Sequence, residues 1–209
     1  MKSKIITLLT TACLTLTACG NETETPKSAE ITPLKQMIID EYNARGVKPG
    51  MSIDEVKAAE QLTIEEDVSR AKISPETTRR YFVSTETCEY DGMPCTVEYS
   101  FKDGGLCYIS YDAEFEYRLA DSDTTGGYIA YNKKKIALAD NIGLPAEVEE
   151  DDPYPGDMLQ FYSSAWTDGD KETANYGIGL NATMARLSGV YDDGTMNDSY
   201  SIMFFWDGN

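Results

Sequence analysis

Apolar residues recur at helical spacing in two segments at the start of the globular part of the chain. The first segment begins at Thr32-Pro33, a helix N-cap followed by proline at the first helical position, and it ends at Gly46. The second begins at Ser52, and Glu55 three residues later completes a capping box. The spacing therefore predicts two short helices in succession.

The apolar residues that follow alternate at the period of a β-strand. The segments YFVSTETCEY, MPCTVEYSF and LCYISYDAEFEY are separated by Asp91-Gly92 and Asp103-Gly104, which are strong hairpin signals. A further helix is predicted over GYIAYNKKKIALADNIG, and LQFYSSAWT, TANYGIGL, TMARLSGVY and SYSIMFFW return to the strand pattern. This order predicts an α+β fold with helices packed on antiparallel β-meanders.

The second half of the chain follows the order of the first. CTVEYSFKDGGLCYISY and ETANYGIGLNATMARLSGVY each carry Thr, then Tyr three residues later, then a hairpin that ends in Tyr. We therefore predict a tandem helix-sheet repeat. The predicted segments are a signal peptide over 1–18, a lipidated N-terminus and flexible tether over 19–32, a first repeat over 33–120 and a second over 121–209.

The hairpin register predicts which side chains share a face. With Asp91-Gly92 as a two-residue turn, the core face holds Phe82, Cys88, Cys95, Val97, Tyr99, Phe101, Leu106 and Tyr108. Aromatic and apolar side chains on the other face of a rigid sheet are typical of a protein-binding surface. The alternative is that the second repeat or the tether covers this face. The predicted binding-surface residues are Val83, Ile109, Tyr111, Met203 and Phe205.

The first twenty residues have the layout of a secretory signal. Lys2 and Lys4 precede a short stretch of apolar residues and threonines, which closes with Leu-Thr-Ala-Cys at Cys19. This ending resembles the lipobox of bacterial lipoproteins, and the resemblance implies that Cys19 becomes the mature N-terminus and carries acyl chains such as palmitate. We expect an extracytoplasmic protein, lipid-anchored to the cell membrane, or to the outer membrane in a Gram-negative host.

The charge of the chain limits its partners. The net charge is −18, and removal of residues 1–18 takes away two lysines and no acid, which leaves −20. Phosphate backbones and anionic headgroups repel such a surface. We therefore predict no nucleic-acid partner, and membrane attachment through the N-terminal lipid alone.

Cys88 and Cys95 are predicted to face each other across a hairpin. Outside the cytoplasm such a pair favours a disulfide, with two free core thiols and a metal clip as the alternatives. A metal would need further soft ligands, and Cys107 is predicted to lie on the opposite face.

The chain contains no histidine, which removes the commonest general base and His-dependent nucleophile activation. DSDTTGGYIAYN imitates the start of a calcium loop, but Asn132 stands where a bidentate Glu is needed. We predict no catalytic residue, no metal site and no cofactor.

Two longer segments resemble a known family of domains. VKPGMSIDEVKAAE resembles the helix-opening signature of BamE/SmpA-like outer-membrane lipoproteins and of the repeats in β-lactamase-inhibitor-like proteins, and TVEYSFKDGGLCYISY resembles the strand–turn–strand that follows. The resemblance implies helices on an antiparallel sheet and a role in binding or assembling proteins. We expect a non-catalytic lipoprotein that binds a protein or another envelope component. The alternatives are a small-ligand or ion-binding surface lipoprotein and a carboxylate-based hydrolase.

Overall fold

The computed structural model describes residues 32–71, 79–118, 126–146, 148–152, 159–169, 174–185 and 195–207. These residues form four helices and nine strands. The helices are α1 (Pro33–Ala44), α2 (Ile53–Ala59), α3 (Val68–Ala71) and α4 (Gly126–Ile142). The strands are β1 (Ile64–Glu66), β2 (Arg79–Ser84), β3 (Cys88–Tyr90), β4 (Met93–Lys102), β5 (Gly105–Arg118), β6 (Val148–Asp152), β7 (Leu159–Thr167), β8 (Tyr176–Ala185) and β9 (Thr195–Trp206).

Side-chain caps start the first two helices where the sequence predicted them. Thr32 Oγ1 accepts a hydrogen bond from the Lys35 N–H at 3.2 Å, which caps α1. Ser52 and Glu55 form the reciprocal capping box of α2. Between the two helices the backbone of Gly46 adopts a φ of +73°, which is a conformation that glycine reaches without strain.

Two tight hairpins set the register of the first meander. Asp91 and Gly92 have φ angles of +51° and +78°, and Asp103 and Gly104 have +53° and +87°. Positive φ at both central residues is the signature of a type I′ turn, which matches the twist of the flanking strands. The first turn places Cys88 directly opposite Cys95, so the predicted register of β3 and β4 is confirmed.

All described strands join one antiparallel sheet. Its order is β1-β2-β4-β5-β9-β8-β7-β6, and β3 pairs with β4 beside this path. The strands of the first half therefore follow one another from one edge of the sheet to its centre, and those of the second half do so from the other edge. At the centre, β5 and β9 pair over a long antiparallel ladder. The predicted α+β class, with helices packed on an antiparallel sheet, is confirmed.

Helices α1, α2 and α4 cover one side of this sheet, which we call the inner face. The Tyr111 hydroxyl of β5 donates to Glu41 of α1, and the Tyr131 hydroxyl of α4 lies 2.5 Å from Ser164 Oγ of β7. The Tyr42 hydroxyl of α1 donates to the Phe204 carbonyl at 3.4 Å. The core lies between these helices and the sheet. Its largest fully buried side chains include Trp166, Tyr42, Tyr99, Tyr111, Tyr200, Phe82 and Phe101.

The predicted faces of β5 are wrong beyond Leu106. The pairing of β4 with β5 shifts after Phe101, which lies opposite Leu106, while Ser100 lies opposite Tyr108. Cys107 is therefore the extra residue of a β-bulge, and the bulge reverses the faces of every later residue in the strand. Ile109 and Tyr111, predicted for the binding surface, are 0% and 2% exposed on the inner face.

Candidate functional site

The sheet side opposite α1, α2 and α4, which we call the outer face, carries two rows of side chains that cross the strands. Directly opposed residues on neighbouring antiparallel strands point to the same face. The first row is Val83, Glu98, Ser110, Met203, Gly179 and Ala165. The second row is Tyr81, Ser100, Tyr108, Phe205, Gly177 and Thr167.

An apolar patch occupies the centre of these rows, formed by Tyr108, Met203 and Phe205. A Cβ built on Gly177 would lie 2.5 Å from the Phe205 ring, and a Cβ on Gly179 would lie 2.9 Å from the Met203 Cε. Because Gly177 and Gly179 of β8 have no side chains, the side chains of Phe205 and Met203 in β9 can pack across β8. The result is a patch of half-buried apolar side chains supported by regular strands.

Polar and ionisable groups border this patch on the β4 side. Arg70 of α3 donates from Nη1 to Glu98 Oε1 at 2.6 Å. Burial raises the pKa of Glu98 to about 7, and the nearby Arg70 guanidinium only partly opposes that rise. Burial also raises the pKa of Asp112, whose Oδ2 accepts a hydrogen bond from Ser110 Oγ at 3.0 Å.

Glu98 is the buried member of an ion pair with the half-exposed Arg70. Glu98 is 5% exposed and is held by Arg70, so it anchors α3 to the sheet and offers little surface to a substrate. The Arg70 guanidinium also lies 5.3 Å from the Tyr81 ring centroid, which fixes the same helix from a second side. The contacts of Arg70 with Glu98 and Tyr81 therefore hold α3 against the sheet beside the patch.

The structure brings together three of the five residues predicted for the binding surface. Val83 and Met203 lie in the first row, and Phe205 lies in the second. Ile109 and Tyr111 lie in the core, while Tyr81 and Tyr108 take places on the outer face that the sequence did not assign to them. The alternation of Gly177 and Gly179 with Ile178 and Leu180 in the sequence could have indicated that one face of this strand lacks side chains.

The three cysteines among the described residues lie in two separate parts of the sheet. Cys88 and Cys95 lie opposite each other with free thiols, and Cys95 is buried. Burial and the neighbouring Cys88 raise the pKa of the Cys95 thiol to about 11. Cys107 is apart from them in the β-bulge, where its Sγ donates to the Ser100 carbonyl at 3.4 Å. The disulfide between Cys88 and Cys95 stays a prediction.

The lipidation residue and the signal lie outside the described residues, which start at Thr32. The first five residues of the calcium-loop-like segment, 121–125, lie outside them as well. The described residues contain no group of three or more His, Cys, Asp or Glu side chains placed to hold a metal ion. None of the described helices combines the length and the apolar character needed to cross a bilayer.

Comparison of the chain with protein-family models, with curated proteins and with solved structures found no significant match in any of the three.

Proposed function

We propose that this protein is a membrane-anchored bacterial lipoprotein whose folded part binds a protein or another envelope component through the outer face, without catalysis. The observation that supports this proposal best is the apolar patch of Tyr108, Met203 and Phe205. Half-buried aromatic and methionine side chains on a rigid support are typical of binding surfaces, because they supply apolar area at a small entropic cost.

The proposed anchor is Cys19, at the end of the signal-like segment. Its support is the sequence Leu-Thr-Ala-Cys directly after a basic and then apolar N-terminus. Mass spectrometry of the native protein should find a chain that begins at Cys19 and carries acyl groups. A chain with an intact Met1, or one without acyl groups, would contradict the anchor.

We also propose that the two halves of the chain are tandem repeats of one helix-sheet unit. The strand order supports this, because β1, β2, β4 and β5 run inward from one edge while β6, β7, β8 and β9 run inward from the other. A helix precedes each set of strands, and the last strands of the two sets pair with each other. A repeat of this kind would explain how one chain builds a wide binding surface from a small unit.

Co-purification from native membranes tests the binding surface. The double variant Met203→Ser, Phe205→Ser removes the apolar patch and should lose the proteins that the wild type retains after stringent washing. Ile136→Ser is the matched control, because Ile136 is an apolar residue of α4 that is 62% exposed. Retention of the same proteins by the double variant, or their loss from the control, would contradict the proposal.

A further inference from the structure

A cleft of about 390 Å³ lies between α4 and the hairpin of β3 and β4. It is separate from the outer face, since α4 covers the inner face of the sheet. Its apolar wall comes from Met93 of the hairpin and from Ile129, Ala130 and Ala137 of α4. Ile129 is more than half exposed, so the cleft is open to solvent along the helix.

The Tyr200 side chain of β9 forms the floor of this cleft. Tyr200 is fully buried, and its hydroxyl has no hydrogen-bond partner among the described residues. Tyr200 lines the cleft together with Asp91 and Met93 of the hairpin. A buried donor without a partner costs stability, and an acceptor brought by a ligand would remove that cost.

Two lysines and one carboxylate stand around the cleft. Lys134 Nζ lies 2.6 Å from Asp91 Oδ2 and 4.9 Å from the Tyr90 ring centroid. Lys133 also lines the cleft, and it forms no ion pair with any described carboxylate. Lys133, Lys134 and Asp91 together carry one net positive charge, in a chain whose net charge is −18. Local charge at this cleft therefore favours an anion over a neutral or cationic ligand.

We propose that this cleft binds an amphipathic monoanion, an alkyl carboxylate, with its chain on the apolar wall and a carboxylate oxygen accepting from the Tyr200 hydroxyl. Lys133 balances the charge of the head group, because Lys134 is already paired with Asp91. Met93, Ile129 and Ala130 supply an apolar surface of the kind on which a short alkyl chain is buried from water. The site is independent of the outer face, so it stands or fails separately from the proposed function.

Calorimetric titration of the full-length protein with octanoate tests the site, with 1-octanol as the uncharged ligand of equal chain length. We expect saturable one-to-one binding of octanoate, and affinity about tenfold weaker for octanol because it lacks the charge. The absence of saturable octanoate binding, or equal affinity for octanol, would overturn the proposal.

Variants separate the cleft from non-specific binding. Lys133→Gln should weaken octanoate several-fold, while Lys48→Gln, an exposed lysine between α1 and α2, should leave the affinity unchanged. Ala137→Phe fills the exposed end of the cleft and should abolish binding. Tyr200→Phe removes the donor, so it should weaken binding while the thermal midpoint stays the same or rises. Equal affinities of the two lysine variants, or unchanged binding by Ala137→Phe, would contradict the site.

Discussion

At the scale of single residues, two buried carboxyls show how their partners decide their ionisation. Burial alone would raise the pKa of Glu60, but hydrogen bonds from Tyr99, the Leu62 N–H and Arg45 outweigh it and hold the pKa below its usual range. Glu98 has one guanidinium partner, Arg70, and its pKa stays raised to about 7. The first carboxyl is thus a stable anion that ties α2 to α1, and the second changes its charge near neutral pH.

Glu60→Gln should destabilise the protein by about 3 kcal/mol, because it leaves the Arg45 guanidinium buried without its anion. The Glu60 side chain is 3% exposed, and the Arg45 Nη2–Glu60 Oε2 distance is 2.6 Å. Glu66→Gln is the matched control, since the Arg80–Glu66 pair is solvent-exposed and should cost less than about 1 kcal/mol. Urea denaturation measures both, and equal losses would contradict the argument.

Glu98 should make folding stability fall as the pH rises from about 4.5 to about 7. Within that window the folded carboxyl keeps a proton that the unfolded chain has already released, so deprotonation favours unfolding. Glu41 and Asp112, whose pKa values burial also raises, act in the same direction.

Unfolding free energies measured at a series of pH values check this dependence. The loss in the wild type should exceed the loss in Glu98→Gln by on the order of 2 kcal/mol. Glu86→Gln changes an exposed carboxyl and should keep the wild-type slope. If Glu98→Gln also keeps that slope, Glu98 is not the group responsible.

Only some of the side-chain hydrogen bonds and ion pairs could be predicted from the sequence. The capping box of Ser52 and Glu55 could be predicted because both partners lie three residues apart. The pairs Arg45–Glu60 and Arg70–Glu98 could not, because each joins side chains from separate elements whose approach depends on the tertiary fold.

At the scale of elements, the structure depends on one bulge and one helix contact. The segment GLCYISY has apolar residues on both alternating sets, so hydrophobic periodicity alone permits either face for Ile109 and Tyr111. The bulge at Cys107 selects the register that buries both side chains, and the Tyr111 hydroxyl donates to Glu41 of α1. The hairpin turns were predictable from Asp-Gly, whereas the bulge has no comparable local signal.

Helix α4 begins on two glycines pressed against the sheet. The Gly127 N–H donates to Asp198 Oδ2 at 3.0 Å, and a Cβ on Gly127 would lie 2.8 Å from that oxygen and 2.9 Å from the Ser199 carbonyl. Gly127→Ala should therefore destabilise the protein by about 1–3 kcal/mol through overpacking.

Thermal denaturation with a control variant checks the Gly127 contact. Gly169→Ala adds a methyl group to a position with no atom within 4 Å, so its midpoint should match the wild type. An unchanged midpoint for Gly127→Ala would show that α4 does not dock as described.

At the scale of the whole molecule, the two halves of the chain share one core. Tyr42 of α1, in the first half, donates to the carbonyl of Phe204 in β9, and β5 and β9 join the halves within the sheet. The sequence predicted α1, α2, the first hairpins and α4 in the right order. Its second set of strands was partly wrong, because β8 runs without a turn through the predicted break between TANYGIGL and TMARLSGVY, and β6 was not predicted. The sequence also did not predict that the last strands of the two halves pair, because such long-range partners leave no periodic signal.

The shared core predicts that both halves unfold together. Trp166 and Trp206 report on the second half by fluorescence, and alkylation of the buried Cys107 reports on the first. The two urea transitions should coincide, as expected for one cooperative unit. Alkylation of Cys107 at lower urea than the fluorescence change would show that the halves unfold independently.

Site-specific photocrosslinking in the native membrane tests the proposed binding surface most directly. A benzophenone side chain replaces Phe205 on the outer face in one protein and Ile136 on α4 in the other. The account predicts a discrete crosslinked partner from position 205 that is absent from position 136. No adduct from position 205, or the same adducts from both positions, would contradict it.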